Sequence, residues 1–286
     1  MYFADLQSSD RSRGWRCASR KMRASFILLL KKARLAEPAK AALRLVEGYH
    51  PRTIRHRKRM MSFYGQFIRQ GDLCFDVGAN VGNRTEVFLK LGARVVAIEP
   101  QADCIRGLQR QFGRNANVTL LQKGLGEKPG QKELFISDAH TISSVSKEWI
   151  SAVTDSGRFA AYRWDRSQLI TMTTLDLLIE SYGVPAFCKI DVEGAELTVL
   201  KGLSKPIKAL SFEFTPEFVA STLGCIEHLS GLGSVAYNYS VEESMCLTLS
   251  NWVTGEEMGE ILKRLPDKTL FGDVYARFIR YAPGPK

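Results

Sequence analysis

Two pairs of acids stand where short apolar runs end, Asp76 with Glu99 and Asp191 with Glu193, and their placement suits chemistry on a polar ligand. A carboxylate at a strand end can accept hydrogen bonds from a ligand hydroxyl, balance positive charge, or take the proton of a hydroxyl about to react. Between the first two acids lies FDVGANVGN (75–83), in which Gly78 and Gly82 permit an unusual backbone path and close approach of a ligand to the main chain. Glu99 follows Gly78 by 21 residues, and an acid about 20 residues beyond a glycine turn can grip a ribose diol in nucleotide folds. A G-x-G-x-x-G fingerprint starting at Gly78 would need glycine where the chain has Asn80 and Asn83, so an ordinary NAD site is disfavoured. Asp191 and Glu193 could orient a hydroxyl, remove its proton, or hold a divalent cation through water. No third ligand accompanies them in the sequence, and no metal is assigned. Glu196 reads instead as a carboxylate stabilised in the first turn of a helix. His140 is a weaker candidate, chosen because histidine transfers protons near neutral pH.

The elements that would position these groups alternate between strand and helix. Leu73-Cys74-Phe75 is an apolar run suited to a parallel strand covered on both faces. Val87, Phe88 and Leu91 then share one helical face ahead of Gly92, and Arg94–Glu99 forms a second strand ending in its acid. Cys104, Leu108 and Phe112 recur every four residues as one face of a helix, and Val118–Leu121 reads as the third strand. Leu134–Ile136 is a short strand, and residues 138–170 show no long periodic pattern, as expected of loops that shape a binding pocket. Phe187–Ile190 delivers Asp191 and Glu193 to the same edge as Asp76 and Glu99. Ala209–Phe214 follows, with Glu213 near its end, then a helix from Pro216 to about Leu229. A strand at Val235–Tyr239 comes next. Thr254 with Glu257 makes a capping box for a helix reaching Leu265, and Val274–Ile279 is the last strand.

With these residues in place, the chain resembles the FkbM family of class I S-adenosylmethionine-dependent methyltransferases. The resemblance rests on FDVGANVGN, on IEP at 98–100 and on KIDVEGAELTVLKG at 189–202, with weaker support from TTLDLL at 173–178 and SFEF at 211–214. It implies an α/β fold with a Rossmann-like, seven-stranded, mostly parallel sheet, helices on both faces, and one antiparallel strand. Residues 71–282 would form the methyltransferase domain, and residues 1–70 a basic, partly helical extension. S-adenosyl-L-methionine is the implied cofactor, contacted by Asp76, Gly78, Ala79, Asn80, Gly82, Glu99, Pro100, Gln101, Gly124 and Asp191. An acceptor hydroxyl would approach Asp191, Glu193 and His140. The family implies O-methylation of a sugar, glycan or natural-product hydroxyl. Within GLGEKPG (124–130), Gly126 and Glu127 depart from the family's usual small-polar and acidic positions. No [DN]-P-P-[YF] motif of base or glutamine N-methylation occurs.

Composition fits an enzyme with one large core: 286 residues, 45% of them hydrophobic. Six cysteines are scattered with no C-x-x-C pair, against a zinc site or disulfide framework. No apolar stretch is long enough to span a membrane, and the expected location is cytoplasmic, with a peripheral membrane contact as the alternative that the basic extension offers. The formal charge of +10 is concentrated in residues 1–70, where 17 lysines and arginines face four acids. A basic amphipathic helix over 20–35, a helix opening near Pro38 and the RTIRHRKRM run at 52–60 make this extension either a solvated face or a contact for anionic lipid. Nucleic acid is disfavoured as a partner because interleaved aromatics and a reader motif are lacking. Two rivals remain: RNA methylation assisted by the extension, and a noncatalytic cofactor-binding scaffold at a membrane surface.

Overall fold

The structure, a computed structural model, describes residues 51–265 and 270–279. The helices expected at 20–35 and from Pro38 lie outside the described residues. The charge run at 52–60 is part of helix α1 (Pro51–Tyr64).

From Lys58 onward the chain is one compact unit built on a sheet of seven strands. In chain order its strands are β1 (Leu73–Val77), β2 (Arg94–Ile98), β3 (Val118–Leu121), β7 (Phe187–Ile190), β8 (Ala209–Phe214), β9 (Val235–Val241) and β10 (Gly272–Phe278). They lie in the order β3-β2-β1-β7-β8-β10-β9. Only β10 runs against its neighbours, pairing antiparallel with both β8 and β9. Chain order reverses between β1 and β7, and in such sheets the crevice beyond the carboxyl ends at that switch is where ligands bind.

The two-residue period of each strand divides the core between the two faces of the sheet. Phe75, Val77, Ile98, Ile190 and Phe212 face one way. They are covered by α5 (Leu175–Tyr182), α6 (Glu196–Leu200), α7 (Val219–Leu232) and α8 (Gly255–Lys263). Cys74, Val95, Ala97, Phe187 and Tyr275 face α2 (Asn83–Lys90) and α3 (Ala102–Phe112) on the other side. This second face also takes Met60, Phe63, Tyr64, Phe67 and Ile68, all buried. Tyr64 meets Phe88 edge-on at 5.1 Å, and Phe67 stacks on Phe187 at 5.1 Å. Each such side chain contributes on the order of 1.5–3 kcal/mol when fully buried. The apolar residues of 60–68, placed in the extension by its charge, therefore pack as part of the sheet's own core, which the boundary expected at 70/71 does not mark because basic residues dominate the segment leading into them.

A second, smaller sheet occupies the stretch that looked least regular. It has three strands, β4 (Gly124–Leu125), β5 (Gly130–Ile136) and β6 (Arg166–Thr173), in the order β4-β6-β5. Between β5 and β6 come a 3-10 turn at His140–Ile142 and α4 (Lys147–Asp155). Strand β5 starts four residues earlier than expected, and Pro216 opens a 3-10 turn that leads into α7. The capping box at Thr254 and Glu257 forms as expected, with both reciprocal hydrogen bonds. Four of the cysteines, Cys74, Cys104, Cys188 and Cys225, are buried and unbridged, and Cys246 is exposed. No helix among the described residues is long and apolar enough to cross a membrane.

Candidate active site

A cleft with an empty volume of about 560 Å³ opens at the carboxyl ends of β1, β2 and β7. Its floor is the turn after β1. The N–H groups of Gly78 and Ala79 both donate to the Ile98 carbonyl, at 2.9 and 3.0 Å, which ties the turn to β2. Gly78 has φ +81°, and a Cβ there would sit 1.8 Å from the Asp191 carbonyl oxygen. The smallness of residue 78 is thus demanded by the end of β7. Asn80 follows at φ 48°, a conformation that non-glycine residues adopt at a cost and that concentrates at functional sites.

Glu99 closes the second side. Its Oε2 accepts from the Asn80 N–H and its Oε1 from the Gln101 N–H, both at 2.8 Å. Burial raises its carboxyl to about 7, while the amides of Gln101 and Asn80 pull the other way. Pro100 and Gln101 extend this wall. Gln168 donates through Nε2 to the Pro100 carbonyl at 3.2 Å, and the Ser143 hydroxyl donates to Gln101 Oε1 at 3.1 Å, so the small sheet and its loop are fastened to β2. Leu125, Leu134, Ile170 and Met172 give the cleft its apolar lining.

The third side is the DVEG turn. Asp191 donates its N–H to the Val77 carbonyl at 3.0 Å, Glu193 has φ 54°, and the Glu193 carbonyl accepts from the Ser144 hydroxyl at 2.5 Å. Glu196 accepts from the N–H groups of Val192 and Gly194, both at 3.2 Å, so it anchors the turn as its position at a helix start implied. Trp149, almost wholly buried, lies against Gly194, where a Cβ would fall 2.2 Å from the indole. Carboxylate oxygens of Asp191, Glu193 and Glu213 lie within 4.8 Å of one another. Burial, then repulsion from the neighbouring acids, holds Glu193 and Glu213 well above the usual carboxylate range. Side chains so placed can keep, share or accept a proton near neutral pH. A smaller recess of about 240 Å³ adjoins them, lined by Glu213, Glu196, Thr215 and Trp149.

Of the residues singled out in the sequence, Gly78, Asn80, Glu99, Pro100, Gln101, Gly124, Asp191 and Glu193 line the cleft together. Asp76 does not. It lies buried on the opposite face of β1, where it accepts a hydrogen bond from the Thr85 hydroxyl. Strand alternation turns residue 76 away from the side that Val77 faces. Ala79 is buried against the core, and Gly82 packs on Phe112 and Leu108 of α3, so neither reaches the cleft. His140 opens the 3-10 turn, and its side chain is not described; its neighbour Thr141 lines the cleft. Ser143, Met172 and Lys123 also line it without having been singled out, since isolated residues in loops and edge strands leave no periodic mark.

Sequence comparison decides the family. Residues 76–262 match the family described as the methyltransferase FkbM domain. The chain belongs to the FkbM methyltransferase family. It is also similar to the hexuronic acid methyltransferase AglP of Haloferax volcanii, with 26% identity over 174 residues, covering 58% of this chain and 64% of that protein. The match thus spans less than two thirds of that relative. Among solved structures, precorrin-6y C5,15-methyltransferase from Geobacter metallireducens GS-15 aligns with a TM-score of 0.41 and 10% identity, covering 78% of this chain and 87% of that one. An rRNA methylase from Streptococcus thermophilus aligns with a TM-score of 0.38 and 12% identity, covering 81% and 98%. These TM-scores are low, and the family assignment rests on the sequence match.

Proposed function

We propose that this FkbM methyltransferase binds S-adenosyl-L-methionine in the cleft at the β1/β7 switch and methylates a hydroxyl of a sugar-like acceptor. The observation that carries the reading is the position of Glu99, a cleft-lining acid whose two carboxylate oxygens are fixed by the main-chain amides of Asn80 and Gln101. A planar pair of acceptor oxygens suits a ribose diol, and the apolar part of the lining suits a purine base. The residues present therefore fit the cofactor. Glu99 would hold its diol, the 78–80 turn its amino-acid portion, and Leu125, Ile170 and Met172 its base.

When bound, the cofactor supplies a methyl group activated by a sulfonium charge. The chain's own residues then align the acceptor and manage its proton. Asp191, Glu193 and Glu213 meet at the ends of β7 and β8, where one of these acids would orient an acceptor hydroxyl and take its proton. Holding two reactants in line is worth about 7–11 kcal/mol in favourable cases. Similarity to a hexuronic acid methyltransferase supports a sugar-like acceptor. Calorimetry with S-adenosylhomocysteine tests the donor site. Wild type should bind in the micromolar range and Glu99→Ala at least about tenfold more weakly; a folded wild type that binds none refutes the reading.

A further inference from the structure

A lysine that the chemistry above leaves unused lies directly under the cleft. Lys189 is central in β7, in the run Phe187-Cys188-Lys189-Ile190, and its side chain is 1% exposed. Register places Asp76, Lys189, Ser211, Tyr275 and Asn238 side by side across five strands, a buried polar row. The Lys189 ammonium contacts two carboxylates. One is Asp273 on β10, at 2.9 Å and 8% exposed, which in turn accepts from the Tyr275 hydroxyl at 3.2 Å. The other is Asp191, at 3.1 Å and 37% exposed in the cleft.

The asymmetry of these two partners is informative. One buried carboxylate suffices to neutralise a buried ammonium, and Asp273 already does so. A pair kept only for stability would need no second anion at the rim, and buried ion pairs are in any case poor stabilisers beside apolar replacements of the same shape. The ammonium engages Oδ2 of Asp191, which leaves Oδ1 for a ligand. Neither Glu193 nor Glu213 touches the lysine, so the three acids at the cleft are not equivalent: one is clamped from below and two are not.

We propose that Lys189 is a positioning residue that fixes the Asp191 carboxylate in the cleft, with Asp273 and Tyr275 holding the lysine itself. The functional part of this inference rests on the reading of the cleft as a methyl-transfer site. Its structural part does not, which allows the two to fail separately.

The test uses the full chain as wild type and as Lys189→Met with Asp273→Asn. The double variant removes both buried charges, and Asp191, being partly exposed, can be solvated once released. Melting reports folding, calorimetry with S-adenosylhomocysteine reports the donor site, and crystallography locates Asp191. Transfer from radiolabelled S-adenosylmethionine to glucuronic acid, the acceptor probe, reports turnover. The expected result is a folded double variant that binds S-adenosylhomocysteine within about threefold of wild type but has Asp191 displaced and kcat lowered about 100-fold, as a misplacement near 1 Å can cause. An Asp191 carboxylate within about 0.5 Å of its original place, or wild-type turnover, overturns the proposal and reduces the lysine to a counter-ion for Asp273. Should the double variant not fold, Asp273→Asn alone decides: with its anchor weakened, Lys189 should release Asp191 and kcat should fall, and an unmoved Asp191 with wild-type turnover overturns the proposal. A wild type that fails to bind S-adenosylhomocysteine sinks the donor reading, and the position of Asp191 still judges the lysine.

Discussion

Replacing Gly78 by alanine separates two costs that the site imposes on one residue. The first is conformational, because φ is +81° and a left-handed backbone costs a residue with a Cβ about 1–2 kcal/mol. The second is steric. The new Cβ would lie 1.8 Å from the Asp191 carbonyl oxygen, whereas carbon and oxygen rest at roughly 3.3–3.6 Å even when attracted. Opening that gap means moving the end of β1 from the end of β7. The hydrogen bonds at risk are Asp191 N–H to Val77, at 3.0 Å, and Gly78 N–H to Ile98, at 2.9 Å. Each contributes about 0.5–1.5 kcal/mol, so Gly78→Ala should lose about 2–5 kcal/mol in all. Gly71→Ala is the control, since Gly71 has φ +84° with nothing within 4 Å of its would-be Cβ. It should lose only the conformational part, about 1–2 kcal/mol. Urea unfolding of both variants measures the difference. Equal losses would refute the claim that residue 78 is confined by β7, and the assignment of its glycine would return to ligand approach.

Donor affinity should depend on pH through Glu99. Its buried carboxyl is raised to about 7, so the proton is taken up as pH falls through that value, and a protonated acid no longer offers two acceptor oxygens to a diol. The Kd for S-adenosylhomocysteine should rise toward tenfold per pH unit below 7; a flat profile between pH 5 and 8 would remove Glu99 from the site. Trp149→Ala should lower stability by about 3–5 kcal/mol because the indole is almost wholly buried. It should also weaken S-adenosylhomocysteine binding by releasing Gly194 and the DVEG turn, and unchanged calorimetry would show that the turn holds without its cover.

Legibility followed period. Strands β1, β2, β7 and β8 are short apolar runs because both of their faces are covered, and the acids that end β2 and β7 sit at the cleft as expected. The small sheet escaped because half of it has no apolar face to read. In β5, Gly130 to Glu133 are exposed, and β6 opens on Arg-Ser-Gln and continues with Leu169 65% exposed while Ile170 is buried. Helix α4 buries only Trp149 and Val153, too few positions to register as a period. Asp76 was misplaced for a different reason: a strand-end acid next to a glycine turn gives its position along the strand but not the face on which it lands. Lys189 left a signal that went unused, a charged residue inside a run otherwise wholly apolar, and such a residue must find buried partners.

The antiparallel strand between β8 and β9 has a bearing on how the protein is made. β8 and β9 are synthesised before β10, yet they are not neighbours; each pairs with β10 alone on that side. A nascent chain that has emerged only as far as β9 therefore carries an open slot in its sheet, with two rows of backbone donors and acceptors exposed to any passing strand. The same late strand carries Asp273, so until it arrives Lys189 lacks one of its two counter-ions. Closure of the sheet and neutralisation of its interior are one event, and they come near the end of translation of this domain.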